Sequence, residues 1–227
     1  VQTLTNAQRQ FFESAASTYQ SDLAADTSAQ AYLAKRGFSP QDAATFRLGV
    51  VNRPLVGHEG YRGRLVIPYL TPAGVVNMRF RCLKDHVCSK TVIFTDEKGK
   101  PVYCPKYLSM DGYESNLYNV LDLKKDSRFI GITEGELDAI ALSVSGVPAV
   151  GVPGVENWQD HFSRCLADFD VIYSFADGDT AGRKFSKFLA REAKARKAPI
   201  PKGKDVNSIY QEGGASAVRA LIDAEVS

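Results

Sequence analysis

Val171–Phe185 reads VIYSFADGDTAGRKF. An apolar and aromatic run leads into two aspartates one residue apart, Asp177 and Asp179, and then into glycine and two cations. The run has the length and composition of a buried strand, and the residues beyond it continue as a helix. Carboxylates this close repel, so a chain that sets them at a strand end needs a cation or a proton beside them. The same order recurs upstream. RFIGIT (128–133) precedes ELDAIALSVSG (136–146), and VPAVGV (147–152) precedes NWQDHFSRCLADF (157–169), just as VIYSFA (171–176) precedes AGRKFSKFLAREAKARK (181–197). Strand and helix alternating at this interval predict a mostly parallel sheet covered by helices. The last piece, DVNSIYQEGGASAVRALIDAE (205–225), reads as two short helices parted by Gly213-Gly214.

The front of the chain has a different character. From Thr5 to Gly37 the pattern is helical, with Thr27 or Ser28 as cap of a second piece and Gly37 as its stop. Ser39-Pro40 opens a short third helix. GRLVIPYL (63–70) and GVVNMRFRCL (74–83) flank the turn TPAG and predict a β-hairpin; TVIFTD (91–96) and PVYCPKYL (101–108) straddle EKGK and predict another. The fold class is therefore α/β with an α+β front half: a helical and antiparallel-sheet subdomain over 1–126, then a parallel-sheet domain over 127–227.

Composition bounds the function classes. A chain of 227 residues with 44% hydrophobic and 24% charged residues is an ordinary globular protein. A net charge of +2 gives no general affinity for nucleic acid, so any basic surface must come from local clustering. No apolar run approaches the roughly 18 residues of a membrane span, and no signal-peptide pattern opens the chain. Four irregularly spaced cysteines fit a reduced cytoplasmic interior and no membrane partner.

Ligands of an open parallel sheet sit beyond the carboxyl ends of its strands. Glu134 closes RFIGIT, Asp138 falls in the first turn of the following helix, Asp177 and Asp179 close VIYSFA, and Asp205 lies in PKGKDVN. Singly, each reads as a helix cap or a turn residue. A calcium loop is excluded on spacing, because its fifth position is Ala181 and its twelfth is Phe188 where a glutamate is required. Together the acids predict one acidic pocket suited to hard divalent ions.

At this point a resemblance becomes specific. ITEGELDAIAL followed by SFADGDTAGRKF resembles the paired signature of the TOPRIM domain, with Glu134, Asp177 and Asp179 matching residue by residue. The DGDTAGR form is most similar to DnaG-type primases and their phage relatives. In the front half, YLAKRGFSPQDAATFRLG, YRGRLVIPYLTPAGVVNMRFR, PKYLS and LYNV resemble the DnaG RNA-polymerase domain, and the likeness runs from about residue 27 to 225. It departs at three places. Glu136 stands where an aromatic is common, a lysine and an arginine are absent before LYNV, and Asp205-Val206-Asn207 replaces an Asp-Pro-Asp element, so an amide stands in for one carboxylate. The family's amino-terminal zinc ribbon and carboxy-terminal helicase-binding part fall outside the sequence, which implies a catalytic core or a compact phage primase that works with partners.

The resemblance implies primer synthesis on single-stranded DNA from ribonucleoside triphosphates, in the cytoplasm of a bacterial host if phage-encoded. It implies two Mg²⁺ or Mn²⁺ ions on Asp177 and Asp179, with Asp205 a weaker ligand, Glu134 either a ligand or a general base, and Asp138 behind them. Implied partners are a replicative helicase or a separate template-recognition module. Arg62, Arg64, Arg79, Arg81 and Lys106 are read as a basic strip for template and nucleotide, and Arg183, Lys202 and Lys204 as phosphate contacts; the alternative is ordinary solvated surface. A TOPRIM nuclease and a non-catalytic nucleic-acid-binding module are the competing functions. Separately, Cys82, His86, Cys88 and Cys104 supply four zinc-type ligands around one hairpin, in a spacing unlike a standard finger, with buried inert thiols as the alternative.

Overall fold

The computed structural model describes residues 3–226, so residues 1, 2 and 227, the outermost of the two predicted halves, lie outside the described residues. Helix α1 (Asn6–Ala25) starts at a capping box between Thr5 and Gln8. Helix α2 (Thr27–Lys35) is capped by Asp26, whose carboxylate accepts from the Ala29 N–H, and not by Thr27 or Ser28. The shift has a simple cause: Asp26 ends α1 and caps α2 at once, leaving no linker between them. Gly37, at φ 84°, turns the chain out of α2, and a Ser39–Asp42 box with Pro40 opens α3 (Pro40–Thr45).

Strands β1 (Gly49–Val50), β2 (Arg64–Thr71), β3 (Gly74–Cys82) and β6 (Tyr107–Ser109) form an antiparallel sheet in the order β1-β2-β3-β6. The first predicted hairpin is β2–β3. The second is β4 (Val92–Thr95) with β5 (Pro101–Tyr103), which pair only with each other. PVYCPKYL is not one strand: the chain leaves the small ribbon after Tyr103 and joins the main sheet at Tyr107, and Pro105 between them has no N–H to continue a ladder.

The back half is a parallel sheet in the order β10-β9-β7-β8, built from β7 (Phe129–Thr133), β8 (Ala149–Gly151), β9 (Val171–Phe175) and β10 (Arg196–Lys197). Helices α4 (Glu136–Val144) and α6 (Thr180–Glu192) follow β7 and β9, and α7 (Val206–Val226) closes the chain. As the glycine pair predicts, α7 is two helices, broken at Gly214 with φ 63°. Two elements differ from the sequence reading. The helix expected over 157–169 contracts to α5 (Phe162–Cys165), where Asn, Asp, His, Ser and Cys, interspersed through the stretch, support a helix weakly. α6 ends at Glu192, since Lys194 turns left-handed (φ 53°) and the next residues pair their backbone with the open edge of β9.

Buried apolar residues run continuously from Leu33 and Leu65 in the front to Ile140, Leu142 and Ile222 in the back, so the two halves share one core. A second cluster, around Ile130, Phe162 and Leu189, lies in the back half and takes in Leu117 from the end of the front half, and a third packs α1 on β2 and β3.

Candidate active site

The strands bring the acids of the sequence reading to one end of the parallel sheet. Glu134 follows β7, Asp177 follows β9, and Asp179 caps α6 by accepting from the Gly182 N–H at 2.8 Å. Two glycines make this turn possible. A Cβ on Gly178 would stand 2.1 Å from the Pro201 carbonyl oxygen, and one on Gly182 would stand 2.0 Å from that of Asp177. Gly178 also exchanges backbone hydrogen bonds with the 201–204 loop, donating to the Lys204 carbonyl at 2.8 Å and accepting from the Gly203 N–H at 3.0 Å. That pairing brings Asp205 alongside. Asp205 caps α7, its Oδ1 accepting from the Ser208 N–H at 2.7 Å.

The carboxylates act on one another. Burial, then the charges of Asp177 and Asp179, push Glu134 up to about 7. Burial and the charge of Asp205 push Asp138 up to about 7. Asp177 is raised by burial, Asp205 and Asp179, while Lys106 pulls it back. Glu134 Oε1 is buried with no hydrogen-bond partner among the described residues. Mutual repulsion together with an orphaned carboxylate oxygen fits a centre for divalent cations, which supply the missing positive charge and accept oxygen ligands. Glu134, Asp177, Asp179 and Asp205 are the candidate carboxylates for such a centre.

Asn207 turns away from this centre. Its side-chain amide donates to the Arg36 carbonyl at 3.0 Å, and its Oδ1 accepts from Arg36 Nη1 at 3.0 Å and Gln211 Nε2 at 2.9 Å. A carboxylate at 207 has no donor for the Arg36 carbonyl, so the amide is what ties α7 to the end of α2. Its backbone N–H holds Asp138 Oδ1 at 2.8 Å.

The basic residues divide. Lys106 is exposed and lies in the field of Asp177, and Arg81 in that of Asp138. Arg81 is buried between two tyrosines, donating from Nε to the Tyr32 hydroxyl at 2.6 Å and from Nη1 to the Tyr107 hydroxyl. Arg79 also lies over the Tyr107 ring, 4.7 Å from its centroid, and pairs with Glu136 at 2.6 Å. Arg62 and Arg64 donate to backbone carbonyls of Asn52 and Pro105. Arg183 and Lys202 are exposed, Arg183 bonding Thr180 Oγ1, and Lys204 pairs with Glu212. A cleft of about 890 Å³ opens beside Arg81 and Lys106, with Tyr32, Lys35, Arg36 and Gln211 on its walls. Tyr32, Tyr107 and Glu136 were not singled out as site residues. Only the Glu136 departure from the family pattern signalled any of them.

Cys82, His86, Cys88 and Cys104 lie on the same cleft, their ligand atoms all within 4.8 Å of one another. This arrangement is compatible with zinc.

Comparison with known proteins agrees with this geometry. Residues 131–210 match the Toprim-like family. The DnaG catalytic core superimposes with a TM-score of 0.73 at 22% identity, covering 95% of this chain and 79% of that one. A DnaG primase catalytic domain solved bound to single-stranded DNA gives 0.72 at 21% identity, covering 96% and 80%. The DNA primase of Haemophilus influenzae is 28% identical over 191 residues, 74% of this chain and 32% of its own length, so the chain spans about a third of that relative. Residues 131–210 thus carry a Toprim-like domain, within a fold that has the architecture of the DnaG primase catalytic core. The chain belongs to the same family as the Gene 57 protein of Mycobacterium phage D29, with 38% identity over 164 residues, 70% of this chain and 97% of that protein.

The acid shifts predict a pH dependence. Glu134 and Asp138 keep their protons up to about 7 in the folded chain, against ordinary values of 4.5 and 3.8. Between those values the folded state holds more protons than the unfolded one, so stability without metal falls as pH rises from about 4 to about 7. Divalent ions displace the same protons, so Mg²⁺ affinity is expected to rise between about pH 6 and pH 8. Calorimetric titration in buffers of different ionisation heat checks this. Equal affinity at both pH values without proton release contradicts it.

Proposed function

We propose that the chain is the catalytic core of a phage-encoded DNA primase, a nucleotidyltransferase that makes short RNA primers on single-stranded DNA in the bacterial cytoplasm. The observation that carries the reading is the Glu134 carboxylate, whose Oε1 is buried without a partner among the described residues, in the fields of Asp177 and Asp179 at the end of the parallel sheet. Two Mg²⁺ or Mn²⁺ ions held there would lower the charge on the reacting phosphates and favour the 3′-oxygen nucleophile. Asp177 and Asp179 ligate, Asp205 contributes from the helix cap beside them, and Glu134 ligates or accepts the proton of the attacking hydroxyl. Asp138 fixes the pocket wall through Asn207. Lys106, aided by Arg81 and Lys35 in the cleft, orients the triphosphate and excludes misplaced substrates by charge. Residues 1–126 present template and nucleotide, and 127–227 hold the metals. Arg62, Arg183, Lys202 and Lys204 extend the phosphate contacts at the rim. A replicative helicase or a separate template-recognition module brings the core to its template.

The test is synthesis of oligoribonucleotides from ribonucleoside triphosphates on single-stranded DNA with Mg²⁺ or Mn²⁺, for wild type and Asp177→Ala. Products from wild type alone support the reading. Template cleavage without dinucleotide products replaces it with a nuclease, and DNA binding unaffected by the substitution with no product replaces it with a non-catalytic module.

A further inference from the structure

Beyond Leu83, which packs against the main core, residues 84–103 form a ribbon with no core of its own. None of them is buried, and Val92, Ile93, Phe94 and Tyr103 are exposed on β4 and β5. The two strands pair with each other and with no other sheet. A two-stranded ribbon of this kind is marginal on its own in water. Its anchorage is at its base. There the Cys82 N–H donates to the Lys106 carbonyl at 2.9 Å and the Cys104 N–H to the Thr91 carbonyl at 2.8 Å.

At that base the side chains converge. Cys82 ends β3, His86 lies in the bend that follows it, Cys88 opens a 3-10 turn (Cys88–Lys90) ahead of β4, and Cys104 lies where the chain returns to the main sheet. Cys82 Sγ stands 3.7 Å from Cys104 Sγ and 3.7 Å from His86 Nε2. Four ligands around zinc at tetrahedral angles, with Zn–S near 2.3 Å and Zn–N near 2.0 Å, place sulfurs about 3.8 Å apart and sulfur from nitrogen about 3.5 Å. These two spacings fit this to within a few tenths of an ångström, and all four ligand atoms lie within 4.8 Å of one another. All four cysteines of the chain are free thiols, and the fourth, Cys165, is exposed on α5. Arg64 completes the electrostatics. Its Nη2 lies 3.9 Å from Cys104 Sγ, a cation beside a set whose three thiolates outweigh a divalent ion by one charge.

We propose that Cys82, His86, Cys88 and Cys104 bind one structural Zn²⁺ that replaces the missing core of the 84–103 ribbon and fixes it as a wall of the cleft. The site is closed, with four protein ligands and no position for substrate. It stands independently of the primase reading, since zinc content and ribbon order are measured without activity.

The test is metal analysis of the full chain purified without chelator, with titration of Co²⁺ into the metal-free protein. One zinc per chain is expected, with the visible bands and thiolate charge-transfer absorption of tetrahedral cobalt. Cys82→Ser and Cys88→Ser are expected to lose both, while Cys165→Ser keeps both. Hydrogen exchange in 84–103 is expected to quicken on zinc removal while the parallel sheet stays protected. Absence of zinc together with no thiolate–cobalt absorption overturns the proposal. So does zinc retained in full by both cysteine variants, or exchange in 84–103 indifferent to the metal.

Discussion

Asp177→Asn is expected to lower primer synthesis by about 10²–10³-fold or more, the scale seen when one group that stabilises transition-state charge is removed, and to make the metal-free protein more stable. The two effects have one source. Asp177 is raised by burial and by the charges of Asp205 and Asp179, so in the folded, metal-free chain its ionised form is penalised. For a carboxylate raised on folding, that penalty is absent at low pH and grows as pH climbs past its ordinary value of 3.8. Asparagine keeps the shape and removes the charge. Urea unfolding with chelator at about pH 8 is therefore expected to shift to higher denaturant in the variant, and added Mg²⁺ to close the gap by stabilising wild type alone. A variant less stable than wild type under chelator would mean that Asp177 is held by a partner and not strained by neighbours. Synthesis at the wild-type rate would remove Asp177 from the metal centre.

Much of this arrangement was legible because it is local. A strand end, a glycine and an acid follow one another in ITEG and FADGD, and period and punctuation placed them at the rim of a parallel sheet. The glycine pair in α7 and the turn of β2–β3 were legible for the same reason. What escaped is what joins distant segments. Arg36 and Asn207 are 171 residues apart, and nothing in DVN says that its amide will clamp a helix end. β10 escaped because its two-residue pairing is imposed by the open edge of β9, against a helical local pattern. The cysteines and histidine were visible as ligand types. Their convergence depends on the chain changing sheets at Cys104 and Pro105, which the apolar run PVYCPKYL conceals. Arg79 and Arg81 read as part of a basic strip for template and nucleotide, and the shared strand face is real: both lean on Tyr107. The protein's interior lies on that side.

Arg79→Met is expected to destabilise the protein by about 3–5 kcal/mol, the usual cost of stranding one member of a buried ion pair. Arg79 Nη1 lies 2.6 Å from Glu136 Oε1, and the exposures of the two side chains are 19% and 1%. The Tyr69 hydroxyl donates to the same oxygen at 2.7 Å, while Glu136 Oε2 and Arg79 Nε have no partner among the described residues. Without the guanidinium, Glu136 would face only Tyr69 and the fields of Tyr107 and Tyr118, whose phenols burial and Glu136 itself hold well above their ordinary value. The pair is also incompletely satisfied, so its joint removal is a different matter. Arg79→Met with Glu136→Leu is expected to recover most of the loss, because two apolar side chains bury no unmatched charge. Urea unfolding of both single variants and the double variant measures the coupling directly. Glu136 begins α4 two residues from both Glu134 and Asp138, so the first turn that carries the acids is held to β3 by this pair. The double variant is accordingly expected to regain stability without regaining full Mg²⁺ affinity. If Arg79→Met costs less than about 1 kcal/mol, the pair is not the tie between the two halves that its burial implies.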